Sequence, residues 1–204
     1  MDNLNEHPQI AELLDTLEKN GLTREKSEVQ SLVGYIGDMQ ATLSGMLGEL
    51  QDMRREINLI HNSTLRSKCQ TLVQKTEDKV RQGFTAVKTM KDNLIKSAGD
   101  AMRAFREKGK DALAGSVRAE MAQDTAKLSS MHSELQSAKG HLKNVGLLFT
   151  GRAAKQAEHA RTDKGILSRL SRVFEKVQKG FASLEQKAMD TADRLRVSRV
   201  RSSV

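Results

Sequence analysis

The chain has 204 residues, of which 29% are charged and only 3% aromatic, with no tryptophan, one proline (Pro8) and one cysteine (Cys69). So few bulky apolar groups argue against a thick globular interior, a single thiol excludes an internal disulfide or a cysteine cage for metal, and no ring interrupts helices after position 8. The net charge of +8 is unevenly placed: residues 1–61 hold 5 basic and 11 acidic groups, residues 62–127 hold 14 and 8, and residues 128–204 hold 15 and 7.

An acidic head is therefore followed by a basic body, a balance that favours association of opposite ends or an anionic partner. The start, Met1-Asp2-Asn3-Leu4-Asn5-Glu6, lacks the basic and apolar regions of a secretory signal, and no run approaches 18 uncharged apolar residues. Together with the lone cysteine these features predict a soluble, cytoplasmic protein.

Pro8 suits the first turn of a short helix whose apolar face is Ile10, Leu13, Leu14 and Leu17, and Asn20-Gly21 suits its end. Thr23 opens the next helix. From there apolar residues recur at steps of three and four for five heptads: Val29, Ile36, Leu43, Leu50 and Ile57 at a, and Leu32, Met39, Met46, Met53 and Ile60 at d. That spacing is the need of a coiled-coil seam, and a helix over 24–61 would run about 57 Å at ~1.5 Å per residue. Flanking residues favour a parallel neighbour, with Glu49 facing Arg54 and Glu56 facing His61 across the seam. An intramolecular hairpin satisfies the same pattern.

On the opposite side of this helix Gly34, Gly37, Ala41, Gly45 and Gly48 form a small-residue stripe. Each glycine costs ~1 kcal/mol of helix propensity against alanine, so the stripe is either a second docking face for a closely approaching helix or a weak solvent face.

From Leu65 to Phe105 the apolar pattern loosens and its polar side is dominated by lysine and arginine. Gly99, Gly109 and Gly115 suggest bends, and Ser116 suggests the cap of a helix whose heptads run from Val117 to Phe149, with Asp124 as the one polar defect. A last amphipathic helix carries Leu170, Phe174, Val177, Phe181 and Leu184, and Arg194–Val204 reads as a basic tail. One echo is visible: residues 79–87 and 176–184 share Lys-Val-x-x-Gly-Phe-x-x-apolar, the kind of match a duplicated helical unit leaves.

Catalytic patterns are missing. None of His7, His61, His132, His141 and His159 pairs at i, i+4, no glycine-rich phosphate loop follows a strand, and Cys69 reads as a helical seam or surface residue. Carboxylates such as Glu77 and Asp78 read as solubilising i, i+4 partners of lysines. No cofactor, metal or small-molecule substrate is expected, and the protein is not expected to be an enzyme. The basic body offers phosphate contacts at Lys79, Arg81, Lys88, Lys91, Arg169, Arg172, Lys176 and Lys179, for sequence-independent, salt-sensitive binding of nucleic acid. Peripheral contact with an anionic membrane is a weaker expectation because tryptophan is absent.

The stretches Asn5-Glu6-His7 to Leu14, Leu17-Glu18-Lys19-Asn20-Gly21, Val33-Gly34-Tyr35-Ile36-Gly37-Asp38-Met39 and Leu47 to Met53 resemble a family of uncharacterised helical proteins encoded on integrative conjugative elements of Gram-positive bacteria. The resemblance covers roughly residues 4–150. It implies a bacterial, mobile-element context and supplies no active-site residue.

The sequence thus predicts an elongated all-α protein of about five helices with coiled-coil segments and no β-sheet. Its parts are a short helix in 1–22, an acidic coiled-coil helix in 23–61, a basic body in 62–150 with a second heptad segment at 117–149, and a basic amphipathic helix and tail in 151–204. The expected function is that of a non-enzymatic interaction protein that self-associates or binds a partner helix through the 29–60 seam. The alternative is an electrostatic nucleic-acid-binding accessory protein of a mobile element.

Overall fold

A computed structural model describes residues 4–61, 63–124, 127 and 160–200. The fold is all-α, and no strand occurs among the described residues. After a 3-10 turn at Leu4–Glu6 come α1 (Pro8–Lys19), α2 (Thr23–Asn58), α3 (Ser63–Lys108), a helix over 110–124 that we label α4, and α5 (Ala160–Val200). The heptad positions expected from Leu128 to Phe149 lie outside the described residues.

Local chemistry explains the boundaries. Pro8 sits in the first turn of α1, where its missing N–H costs nothing. At the other end Gly21 adopts φ +68, its N–H reaches Glu18 O at 3.0 Å, and the Leu22 N–H reaches Leu17 O at 2.8 Å. These two bonds consume carbonyls that the helix end would otherwise leave unpaired.

Gly109 does the same for α3 with φ +80 and a 2.8 Å bond to Phe105 O. The chain re-enters a helix at once, at residue 110, so the expected start at Ser116 is too late and Gly115 lies inside α4. Gly99 does not bend α3 either. A Cβ there would stand 3.2 Å from Gln9 Nε2, so this glycine marks the close approach of α1. At the C-terminal end α5 runs through Gly165 and on to Val200, so much of the expected tail is helical.

The chain divides into two compact units, each assembled from distant stretches. The described parts of the first are 4–40, 85–124, 127 and 186–200. Its interior is built where Leu13 of α1, Val29 of α2, Leu94 and Ala98 of α3 and Val117 and Met121 of α4 converge, leaving a void of only about 10 Å³. The described parts of the second unit are 41–61, 63–84 and 160–185. Leu43, Leu50 and Ile57 of α2, Cys69, Val73 and Val80 of α3, and Leu170, Val177 and Phe181 of α5 are all buried there. Full burial of each large aliphatic side chain contributes roughly 1.5–3 kcal/mol, so both interiors are assembled mainly from aliphatic groups, with Tyr35 buried in the first and Phe174 and Phe181 in the second.

Candidate functional site

All ten seam residues, Val29, Leu32, Ile36, Met39, Leu43, Met46, Leu50, Met53, Ile57 and Ile60, are buried, none more than 3% exposed. The first four belong to the first unit and the other six to the second. The single chain therefore fills its own seam. The flanking carboxylates also find partners within the chain: Lys176 Nζ donates to Glu49 Oε1 at 3.0 Å and Arg169 Nε to Glu56 Oε2 at 2.8 Å. Moving from Glu49 to Glu56 advances α2 by one heptad while Lys176 to Arg169 retreats by one along α5, so these helix segments are antiparallel and in register. Arg54, expected opposite Glu49 of a second helix, instead donates from Nη1 to Glu77 Oε2 of α3 at 3.1 Å.

The small-residue face is open. Gly34, Gly37, Ala41, Gly45 and Gly48 are exposed, and a Cβ built at any of the four glycines meets no atom within 4 Å. In the first unit the side chains beside Gly34 and Gly37 include Ser27, Gln30 and Ser31. In the second, Ser44 and Gln51 flank Gly45 and Gly48.

The eight expected phosphate contacts divide between the units: Lys88 and Lys91 fall in the first, Lys79, Arg81, Arg169, Arg172, Lys176 and Lys179 in the second. Four of the eight are engaged. Arg169 and Lys176 hold the α2 carboxylates described above, Arg81 donates through Nε and Nη2 to Glu77 Oε1, and Lys79 Nζ donates to Gln82 Oε1 at 3.1 Å. Lys88, Lys91, Arg172 and Lys179 make no ion pair among the described residues.

Several acidic head residues are likewise neutralised by basic body residues. In the first unit Arg106 reaches Glu12 at 2.7 Å, Arg118 reaches the buried Glu25 at 2.7 Å, and Lys187 reaches Asp38 at 2.8 Å.

Matches to known proteins come from one direction. The sequence profile of the family of unknown function DUF6674 matches residues 6–121 and 114–204. The chain belongs to this family. No curated protein and no solved structure matches it.

In this DUF6674 member Glu77, Asp124 and Cys69 are buried. Sequence reasoning makes Asp124 the polar defect of a heptad and Cys69 a seam or surface residue, and it misses the burial of Glu77. Glu77 has the expected i, i+4 partner, Arg81, but not as an exposed solubilising pair: its side chain is 2% exposed and receives both Arg54 and Arg81. Burial works to raise its pKa, but hydrogen bonds from Arg81 and Arg54 and their charges outweigh it, and the carboxyl is held below its ordinary value of 4.5. The signal was present, because Val73, Glu77 and Val80 fall at steps of four and three on one helical face. Asp124 is fully buried, with Lys127 Nζ 3.0 Å from Oδ1 and Oδ2 without a partner. Its pKa is raised, by burial first and by Glu120, against the pull of Lys127. Cys69 is buried and its thiol is pushed up to about 11 by desolvation. Among the described residues no group of three histidine, cysteine or carboxylate side chains is placed to hold a metal, and no helix is long and apolar enough to cross a membrane.

Proposed function

We propose that this protein is a non-enzymatic helical interaction module whose docking face is the outer surface of α2. The observation that carries the reading is the open glycine face. Gly45 and Gly48 in the second unit, and Gly34 and Gly37 in the first, lower helix propensity yet relieve no crowding among the described residues. A helix laid across such a surface gains close backbone contact and dispersion that larger side chains would prevent. The seam of α2 is engaged by the chain's own helices, so a partner using the outer face need not open either unit. A second copy of the chain is the occupant we favour, in keeping with the self-association expected from the sequence. A cytoplasmic location and a Gram-positive mobile-element context rest on the lone cysteine and on the family resemblance.

The test is the mass of the full chain by light scattering, before and after Gly45→Leu and Gly48→Leu. Loss of the oligomer with an unchanged helical circular dichroism spectrum supports the reading. A monomeric parent protein, or an oligomer indifferent to both substitutions, refutes it. Leu43 and Leu50 are unsuitable for this purpose, because charging a core position would unfold the second unit.

The second reading is electrostatic binding of nucleic acid, and it is supported by Lys88, Lys91, Arg172 and Lys179, which make no ion pair among the described residues. Engagement of Arg81, Arg169 and Lys176 with carboxylates reduces the charge available for it. Fluorescence anisotropy of a labelled duplex at low and near-physiological salt decides: phosphate binding falls steeply as salt rises, and helix docking does not.

A further inference from the structure

A groove of about 530 Å³ opens between α2 and α3 in the second unit, lined by Arg54, Asn58, Gln70, Thr71, Gln74 and Lys75. Its volume falls in the range of small-ligand sites, roughly 300–1,000 Å³, but all six lining residues are exposed and the groove is open to solvent along its length. Its walls differ from the usual apolar site: every lining side chain is polar, two are cationic and none is a carboxylate. We propose that this groove binds a phosphorylated, hydroxyl-rich small molecule of the sugar-phosphate class.

The hydrogen bonds already made decide what each wall group has left to offer. Glu77 is anchored by Arg81 at Oε1, and its Oε2 accepts one N–H of Arg54 at 3.1 Å. That contact orients the Arg54 guanidinium and leaves most of its five donors for a ligand. Gln70 Nε2 donates to Asn58 Oδ1 at 2.9 Å, which leaves the Asn58 amide N–H groups as donors and the Gln70 carbonyl as an acceptor. Gln74 Nε2 gives one of its two N–H groups to Asp78 Oδ1 at 2.8 Å and Thr71 Oγ1 donates to Ser67 O at 3.0 Å, so Thr71 presents an acceptor oxygen and Gln74 its carbonyl with one N–H to spare.

Donors and acceptors therefore come in two sets. Arg54, Lys75 and the Asn58 amide match the several oxygens of a phosphate, which outnumber those of a carboxylate. The acceptors on Gln70, Gln74 and Thr71 match hydroxyl groups. No aromatic or wholly aliphatic side chain lines the groove, and its apolar surface is that of the methylene and methyl groups of these polar residues. Of the carboxylates bonded to the wall residues, Glu77 is held by two arginines and Asp78 accepts Gln74 at Oδ1.

The probe is ribose 5-phosphate, titrated into the full chain alongside inorganic phosphate and ribose and followed by NMR of the arginine Nε–Hε groups. The site requires saturable binding of ribose 5-phosphate, ~tenfold or more tighter than inorganic phosphate, with the Arg54 resonance shifting. Arg54→Gln and Lys75→Gln should each weaken it ~tenfold, and Lys88→Gln, on a surface far along α3 in sequence, should leave it unchanged. Lys75 is exposed and makes no ion pair among the described residues, so its substitution tests the groove without threatening the fold. Absence of saturable binding, equal affinity for the two phosphates, or an equal loss in Lys88→Gln overturns the proposal. Failure here leaves the docking face on α2 untouched, since the two rest on different side chains.

Discussion

Arg54 of α2 and Glu77 of α3 meet at 3.1 Å, and the Glu77 carboxylate, which also receives Arg81, is the one buried acidic group among the described residues of the second unit. The arginines are more than half exposed while Glu77 is buried, so the cations keep their water and the anion depends on them. Glu77→Gln should cost on the order of 1–2 kcal/mol, read as a lower urea midpoint with an unchanged slope. Because the folded pKa lies below the unfolded one, the stabilisation is present above about pH 4.5 and is lost as pH falls through the folded value. The acid-side loss of stability should be shallower in Glu77→Gln, and an identical pH profile would rule the linkage out.

Asp124 should behave in the opposite sense. Its folded pKa is raised above the ordinary 3.8, so the buried group favours the folded state in its protonated form and that benefit disappears as pH rises through the folded value. In its charged form the group is a buried carboxylate with one unpaired oxygen. Asp124→Asn should therefore raise the melting temperature at pH 7 by an amount corresponding to about 1 kcal/mol, with a smaller gain at pH 4. A lower melting temperature at pH 7 would mean that the Lys127 pair outweighs desolvation.

Two glycines of the second unit should respond to alanine with opposite signs. At Gly45 the added methyl enters open space, so Gly45→Ala should stabilise by roughly 0.5–1 kcal/mol through helix propensity and a smaller unfolded-state entropy. At Gly180 the methyl would stand 2.8 Å from Met46 Cγ and 2.9 Å from Sδ. Met46 must then leave its place in the core, and Gly180→Ala should destabilise by about 1–3 kcal/mol. Thermal denaturation of the two variants side by side checks both signs.

Cys69 should be inert in the folded protein. Its thiol is fully buried and pushed up to about 11 by desolvation, so little thiolate exists at pH 8 and no reagent reaches it. A disulfide reagent should label the chain in strong denaturant and leave it unlabelled in buffer over the same interval. Rapid native labelling would place this part of α3 in an open state.

The repeated motif shows how far a linear pattern carries. Val80 and Val177 are both fully buried, as the shared Lys-Val-x-x-Gly-Phe frame suggests, and so are Val87 and Leu184. The phenylalanines part company: Phe181 is buried and Phe84 only half-buried. Periodicity tells which face of a helix is apolar, and it is silent on how deeply a neighbour covers that face.

By itself the sequence determined the helices and their buried stripes. A spacing of three and four residues with no proline after Pro8 leaves the backbone few alternatives, and burial of Val29 through Ile57 follows from the local geometry of one helix. Ile60, expected on the same helix, is buried two residues beyond its end at Asn58. Gly21 was legible as an end for the same reason. Tertiary structure alone decided what covers the stripe, because a heptad seam is satisfied equally by a second chain and by distant helices of the same chain. It also decided the fate of the charges. Whether Glu49 meets Arg54 of a neighbour or Lys176 of α5, and whether Glu77 is solvated or buried between two arginines, depends on antiparallel register between segments far apart in the chain, which no local spacing encodes.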